Sequence, residues 1–361
     1  MKKVVLTVLL GIAVCIMSVG QGFVIDHTCT DIYQIPEAYL NAARNNLHIG
    51  YGHTSHGSQL VTGMSAISTA MGANFSFSAH DISNVLELHE GGDLSGDVGS
   101  YPQWKKNTSV FLEKSENSRF NVILWSWCGQ LSNRSSENVV SQYLEPMSVF
   151  ESHYPNVTFI YMTGHLDGTG ETGTLHQNNE QIRAFCAENN KILFDFADIE
   201  SYDPDGNSYL DKKANDECDY DSDGNGSRDA NWAEEWCSEN SGDCLNTGNC
   251  AHSKALNCEL KGRAAWWMFA RLAGWPGLAT AQNDHEYLWN IVYRQSENRF
   301  VLMNDQGSEQ MNYQVYSYTG TLCDEGVVKN ELSLKSLERG LYIVSFSCKQ
   351  YQKTVKVLVS N

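Results

Sequence analysis

From residue 47 to about residue 275 the chain repeats one pattern: a short run of β-formers, a polar turn, then a helical stretch. "LHIGYG" enters a turn of Gly, His, Thr and Ser at 50–57. "FNVILWSW" (120–127) ends at "CGQ", "VTFIYMTGH" (157–165) ends at "GHLDG", and "KILFDFADI" (191–199) is a further run. Helical stretches such as "SSENVVSQYLEPMSVFESHY" and "NNEQIRAFCAENN" lie between them. Strand, turn and helix repeated in this way predict an α/β domain with a mostly parallel sheet covered on both faces. In such sheets ligands bind beyond the carboxyl ends of the strands. Ser55, Gln130, His165 and Asp167 all follow predicted strand ends, so the pattern gathers them on one rim.

Two regions break the pattern. Residues 200–258 are polar, acidic, glycine-bearing and rich in cysteine, and they read as an elaborated insertion before a last apolar helix, "KGRAAWWMFARLAGW" (261–275), which "WPG" ends. From about 285 to 361, apolar and polar residues alternate between turn signals, which predicts a small all-β sandwich. The domain reading is a leader at 1–20, an α/β domain at 21–280 and a β domain at 285–361. The leader combines Lys2 and Lys3, a short apolar run and small residues at Ser18 and Gly20, the pattern of a signal peptide. Val14 before Cys15 argues against lipid attachment, and no later stretch is apolar enough to span a bilayer.

Removing the leader leaves ten of the 11 cysteines, an even number that in an exported chain favours disulfides. Five of them fall between 218 and 258, and Cys323 and Cys348 sit on separate predicted strands that a bridge could join. No paired CxxC spacing supports a zinc site. The formal charge of -18 repels nucleic-acid phosphates and excludes that class of partner.

The chemistry candidates begin with Ser55 in "HIGYGHTSHGSQLVTGM" (48–64). A serine on a sharp turn between strand and helix presents its oxygen above the sheet, near amides that can hold an oxyanion. Its ordinary alternative is a helix cap. His252 lies in "GNCAHSKALNCELKG", just before the last helix, where an imidazole can reach back over the rim as a base.

The order of these features resembles the SGNH (GDSL-like) hydrolase family over roughly residues 45–275. That resemblance implies a flavodoxin-like three-layer α/β/α fold and serine esterase chemistry. "GHTSHG" stands at the first block, with Ser55 as nucleophile and Thr54 where the family usually has Asp. "GGDLSGDVG" stands at the second and makes Gly96 an oxyanion donor. "WSWCGQL" stands at the third, with Gln130 donating in place of Asn. "NCAHS" stands at the last, keeping His252 but placing Asn249 where the family has Asp. Asn249 would orient the imidazole, with Asp198 and Asp243 as alternatives. His53, His56, Trp127, His165 and Asp167 would shape the substrate pocket, with Trp125 and Trp127 expected to face opposite ways. The expected substrate is an ester, such as an acyl or acetyl group on an extracellular glycan.

Two other classes compete. A non-catalytic glycan-binding or adhesive surface protein would explain the altered block letters. A metal-dependent hydrolase would use His53 and His56, His165 and Asp167, or His89 and Glu90 as ligands. No cofactor is expected for the serine chemistry. A structural calcium is expected in "DYDSDGNGSRD", where Asp219, Asp221 and Asp223 alternate before Gly224 and Asp229 can close a short loop. "DPDGNSYLD" (203–211) is a second partial match.

The tail carries its own resemblance. "VYSYTGTL", "LSLKSLERGLYIVSF" and "KTVKVLV", over about the last 75 residues, look like the sorting domain of the type IX secretion system. This implies passage through the periplasm of a Gram-negative, Bacteroidota-type bacterium. The secretion machinery would be the partner, and the final location the cell surface or the medium.

Overall fold

The structure is a computed structural model that describes residues 22–278, 289–294, 298–304, 310–318, 320–348 and 351–359. The expected leader at 1–20 lies outside the described residues. The described chain forms two compact units that divide after Trp275.

The first unit is built on a seven-stranded sheet in which every pairing is parallel. In chain order its strands are β1 (Val24–Ile25), β2 (His48–His53), β3 (Phe77–Ser78), β4 (Leu86–Ser95), β5 (Val122–Trp125), β6 (Thr158–Met162) and β7 (Ile192–Phe194). Their spatial order is β1-β7-β6-β5-β2-β4-β3. The run β4-β2-β5-β6-β7 therefore reads 2-1-3-4-5, and the strand order reverses beside β2. β5 is buried along its whole length, because helices cover both faces of the sheet. One core layer gathers Leu60, Met64 and Ile67 with Ala264, Trp266 and Phe269, and the other gathers Trp104, Trp125, Tyr143 and Phe159.

The helices of this unit are α1 (Glu37–Asn46), α2 (Ser58–Met71), α3 (Gln103–Glu113), α4 (Ser136–Val139), α5 (Glu145–His153), α6 (Thr174–Glu188), α7 (Phe196–Ile199), α8 (Trp232–Glu239) and α9 (Ala255–Leu272), and those that matter most to the rim are α2 and α9. They pack backbone against backbone. A Cβ on Gly63 would lie 1.8 Å from the Cys258 carbonyl oxygen, and one on Gly262 would lie 2.4 Å from the Gly63 carbonyl carbon. Only glycine permits this approach. It fixes the start of α2, which follows Ser55, beside the start of α9, which follows His252. No helix among the described residues is long and apolar enough to cross a membrane.

Four expectations change. β4 was not anticipated, and "KILFDFADI" is strand only over Ile192–Phe194 before turning into a short helix at Phe196–Ile199. The last helix starts at Ala255, before the expected 261, because its first turn is buried through Leu256 and Cys258 while the polar Asn257 and Glu259 between them find partners elsewhere in the chain. Trp125 and Trp127 do not face opposite ways. Residues two apart on extended chain share a side, and both rings are buried in the same core layer.

The second unit is all β. Trp289–Arg294, Arg299–Asn304 and Glu331–Ser333 form one antiparallel sheet. Met311–Ser317, Leu322–Val328, Gly340–Cys348 and Tyr351–Val359 form another. Phe300 and Phe346 meet edge-to-face at 5.0 Å in the core between them. Cys323 and Cys348 do not bridge each other, since the strand Met311–Ser317 lies between the strands that carry them.

Candidate active site

β2 ends at His53 and the chain turns through Thr54, Ser55, His56 and Gly57 into α2. The turn sits where the strand order reverses, the position at which open α/β sheets bind ligands. Ser55 Oγ lies 2.9 Å from His252 Nε2, across 197 residues of chain. With the hydroxyl donating, this is the contact a nucleophile makes to its base.

Three features fix the base. Gln59 Nε2 donates to the Ala251 carbonyl at 2.6 Å. The Cys250–Cys258 disulfide ties the loop to the first turn of α9. His252 itself adopts φ 56°, a left-handed conformation that throws its ring back over the rim. Gln59 is in turn held by the fully buried Lys261, whose Nζ donates to Gln59 Oε1 at 2.5 Å and to Glu200 Oε1 at 2.7 Å. Burial pulls the Lys261 ammonium below the ordinary lysine range, and Glu200 works in the opposite sense. Glu200 also accepts the Leu166 amide and the Asn257 amide group.

Asp97 joins the loops after β2, β4 and β5. Thr54 Oγ1 donates to one of its oxygens at 2.7 Å and Gln130 Nε2 to the other at 3.1 Å. Thr54 thus carries a hydrogen bond to a buried carboxylate. Gly96, beside Asp97, has φ +107, a conformation that favours glycine.

His56 forms a second cluster. Its ring lies 3.7 Å from that of His165, nearly parallel, and 4.5 Å from that of His252. Its Nδ1 is 3.1 Å from Cys128 Sγ and its Nε2 is 2.9 Å from Asp216 Oδ2. Burial pushes the His56 imidazole below the usual histidine range, partly offset by its bond to Asp216. Burial works against the Asp216 carboxylate, but the bond from His56 and the charge of His165 outweigh it and hold its pKa down.

The expected site residues divide accordingly. Ser55, His252, His56 and His165 come together. Asp97 ties Gln130 to the loop that carries Gly96. His53 faces β4, with Nε2 2.7 Å from Glu90. Asp167 caps its own turn through Thr169, and its backbone bridges Asn215, which brings the acidic insertion onto the rim. Trp127 is a core residue against Tyr143, not a pocket wall. None of the expected acids reaches His252. Asn249 is exposed, Asp198 is engaged with His27 at 2.6 Å, and Asp243 is exposed.

The metal candidates are rearranged as well. His56, His165 and Asp216 converge, whereas His89 packs against Phe111. The converging trio suits a single ion poorly. Its two imidazoles are parallel at 4° and 3.7 Å, so no point lies in the plane of both rings, and His165 Nδ1 donates to the Leu166 carbonyl at 2.8 Å. In the acidic loop, Asp221 accepts the Gly224, Asn225 and Gly226 amides, Asp223 accepts Asn225, Asp229 accepts Ser222 and Asp219 accepts Asn231. Among the described residues, none of these four carboxylates belongs to a convergent group of three potential ligands.

Sequence reasoning missed Asp97, Cys128, Asp216 and Lys261. Asp97 lies inside the quoted "SGDVG" and Cys128 inside "WCGQ", but nothing in either marks its partner. No protein-family model matches the chain, and no match is found among curated proteins.

Proposed function

We propose that the first unit is a secreted serine esterase of SGNH-like design, with Ser55 as nucleophile and His252 as base. The observation that carries this reading is the 2.9 Å contact between Ser55 Oγ and His252 Nε2 at the point where the strand order reverses. Ser55 Oγ attacks the ester carbonyl while its proton passes to Nε2. The same imidazolium then protonates the leaving alcohol, and a water repeats the cycle to release the acid. The Ser55 and Gly96 amides and the second Nε2 hydrogen of Gln130 are the oxyanion donors in this mechanism.

The substrate class follows from the surroundings. An open groove of about 520 Å³ runs from the first turns of α2 to the end of β4, lined by His53, Ser58, Val61, Thr62, Ser65 and Glu90; it begins beside the turn that carries Ser55, although Ser55 and His252 do not line it. Its mixture of hydroxyls, a carboxylate and apolar surface suits a glycan that carries an acyl ester. The leader and the type IX-like tail support action outside the cell, with the β unit serving export.

The test is fluorophosphonate labelling of the purified mature chain, with the modified peptide mapped by mass spectrometry. Label is expected on Ser55 and is lost in His252→Ala. In a chain that also carries Cys128→Ser, Ser55→Ala should lower hydrolysis of p-nitrophenyl acetate roughly 100-fold or more, a smaller loss than in a full triad because no carboxylate backs His252. A folded protein that takes no label at Ser55 overturns the reading.

A further inference from the structure

We propose that Cys128, His56 and Asp216 form a second nucleophilic centre on the same rim, a thiol that accepts acyl groups from activated esters and thioesters. The proposal does not rest on the role assigned to Ser55. Both nitrogens of His56 are committed, Nδ1 to Cys128 Sγ at 3.1 Å and Nε2 to Asp216 Oδ2 at 2.9 Å. A thiol, an imidazole and an orienting carboxylate in series are the parts of an activated cysteine nucleophile. The ring cannot rotate away. His165 covers one face at 3.7 Å, His252 lies 4.5 Å away, and the imidazole is buried.

Cys128 differs from the other free thiols of the first unit. Cys29, Cys186 and Cys218 are buried, and burial pushes them up to about 11, 12 and 12, where they are inert. Cys128 is partly exposed and is the one free thiol among these within hydrogen-bonding distance of an imidazole. It follows the end of β5, the strand next to the nucleophile turn.

The chemical step closes on itself. The Cys128 proton passes to His56 Nδ1 as sulfur attacks the carbonyl carbon, and an S–C bond forms. The bond from carbon to the leaving oxygen or sulfur breaks, and the leaving group takes the proton from Nδ1. Water then attacks the thioester and gives its proton to Nδ1. The S–C bond breaks and the proton returns to sulfur. Asp216 stays ionised throughout and holds the ring.

The experiment uses the mature chain carrying Ser55→Ala, so that a failure of the serine mechanism does not affect the result. Iodoacetamide alkylation near pH 6 is followed at the Cys128 and Cys323 peptides by mass spectrometry. Cys323 is exposed and serves as the internal reference for an ordinary thiol. An ordinary exposed thiol reacts slowly there, whereas His56 Nδ1 lies 3.1 Å from Cys128 Sγ and takes its proton as the sulfur attacks, so Cys128 is expected to react at least about tenfold faster despite its lower exposure. His56→Gln and Asp216→Asn should each reduce that advantage. With p-nitrophenyl acetate, an initial burst of one equivalent of p-nitrophenolate should accompany the appearance of one acetyl group on the Cys128 peptide, before slower turnover by water, and neither the burst nor the acetyl group should appear once Cys128→Ser is added. A Cys128 rate no greater than that of Cys323, or acetylation that bypasses Cys128, overturns the proposal without recourse to any variant that fails to fold.

Discussion

Lys261→Met removes a fully buried cation beneath the rim and leaves the fully buried Glu200 without its counter-charge. Both side chains are 0% exposed and their contact is 2.7 Å. Breaking a buried ion pair from one side costs about 3–5 kcal/mol, because the remaining charge is stranded. Glu200 keeps its bonds from the Leu166 amide and from Asn257, which places the cost near the lower end, about 3 kcal/mol. Gln59 also loses the donor to its Oε1. With a denaturant slope of about 3 kcal/mol per molar urea, the unfolding midpoint of the first unit should fall by about 1 M. Tryptophan fluorescence reads this unit selectively, since all of the nine tryptophans except Trp289 lie in it. Adding Glu200→Gln to the variant should restore part of the loss, because the charge is gone and the single amide oxygen still accepts from one of the two donors, Leu166 or Asn257, while the NH2 faces the other. A drop below about 0.3 M in the single variant, or no recovery in the double one, would refute the claim that a stranded charge sets the cost.

Two further outcomes follow from the same geometry. Gln59→Ala leaves the Ala251 carbonyl and the Lys261 ammonium each one partner short, a loss of about 2 kcal/mol; because Ala251 precedes His252, kcat on a test ester should fall more than KM rises, and an equal change in both would count against the positioning role. Asp198→Asn tests the partner that Asp198 does have: burial disfavours the charged forms of both His27 and Asp198, but their mutual bond outweighs it, raising the imidazole and lowering the carboxylate. The carboxylate's contribution is present above its unfolded pKa and is lost as pH falls through the depressed folded value. The imidazole's is present below its unfolded pKa and is lost as pH rises through the raised folded value. The urea midpoint deficit of Asp198→Asn should therefore be greatest between about pH 4 and 6.5 and smaller at pH 8.5, and a deficit that does not vary with pH would show that charge plays no part.

The strands that were legible in the sequence are those buried on both faces, β2, β5, β6 and β7, whose apolar runs have no competing reading. β4 was hidden by its own chemistry. "LELHEGGDLS" carries Glu87, which reads as surface, yet Glu87 is 1% exposed with Arg119 forking onto it at 2.6 and 2.9 Å and His48 at 2.6 Å. Those partners come from elsewhere in the chain, so no local pattern announces them. Ser55 and His252 were legible because turn chemistry after a first strand and a histidine before a last helix are local signals. Asp216 was not, because it is one carboxylate among many in an acidic insertion, and only the bridge between Asp167 and Asn215 brings it to a histidine 160 residues away. The cysteine arithmetic held for the two short loops Cys237–Cys244 and Cys250–Cys258. Parity alone could not show that Cys218 is buried beside Ser253, unpaired.

The missing acid bears on how the proposed serine mechanism must work. In a Ser-His-Asp triad the carboxylate fixes the imidazole tautomer and stabilises the imidazolium, and its loss costs about 10⁴ in rate. His252 has no carboxylate within ion-pair distance among the described residues, so its orientation comes from Gln59, the disulfide and the stack on His56. The nearest acid in the cluster, Asp216, belongs to His56, one ring further on. That arrangement works for Ser55 only while His56 is neutral, the form that its burial favours. Two imidazolium rings 4.5 Å apart repel by about 4 kcal/mol at an effective dielectric of 20. Protonation of His252 by Ser55 and protonation of His56 by Cys128 therefore exclude each other, and the two proposed nucleophiles act in alternation.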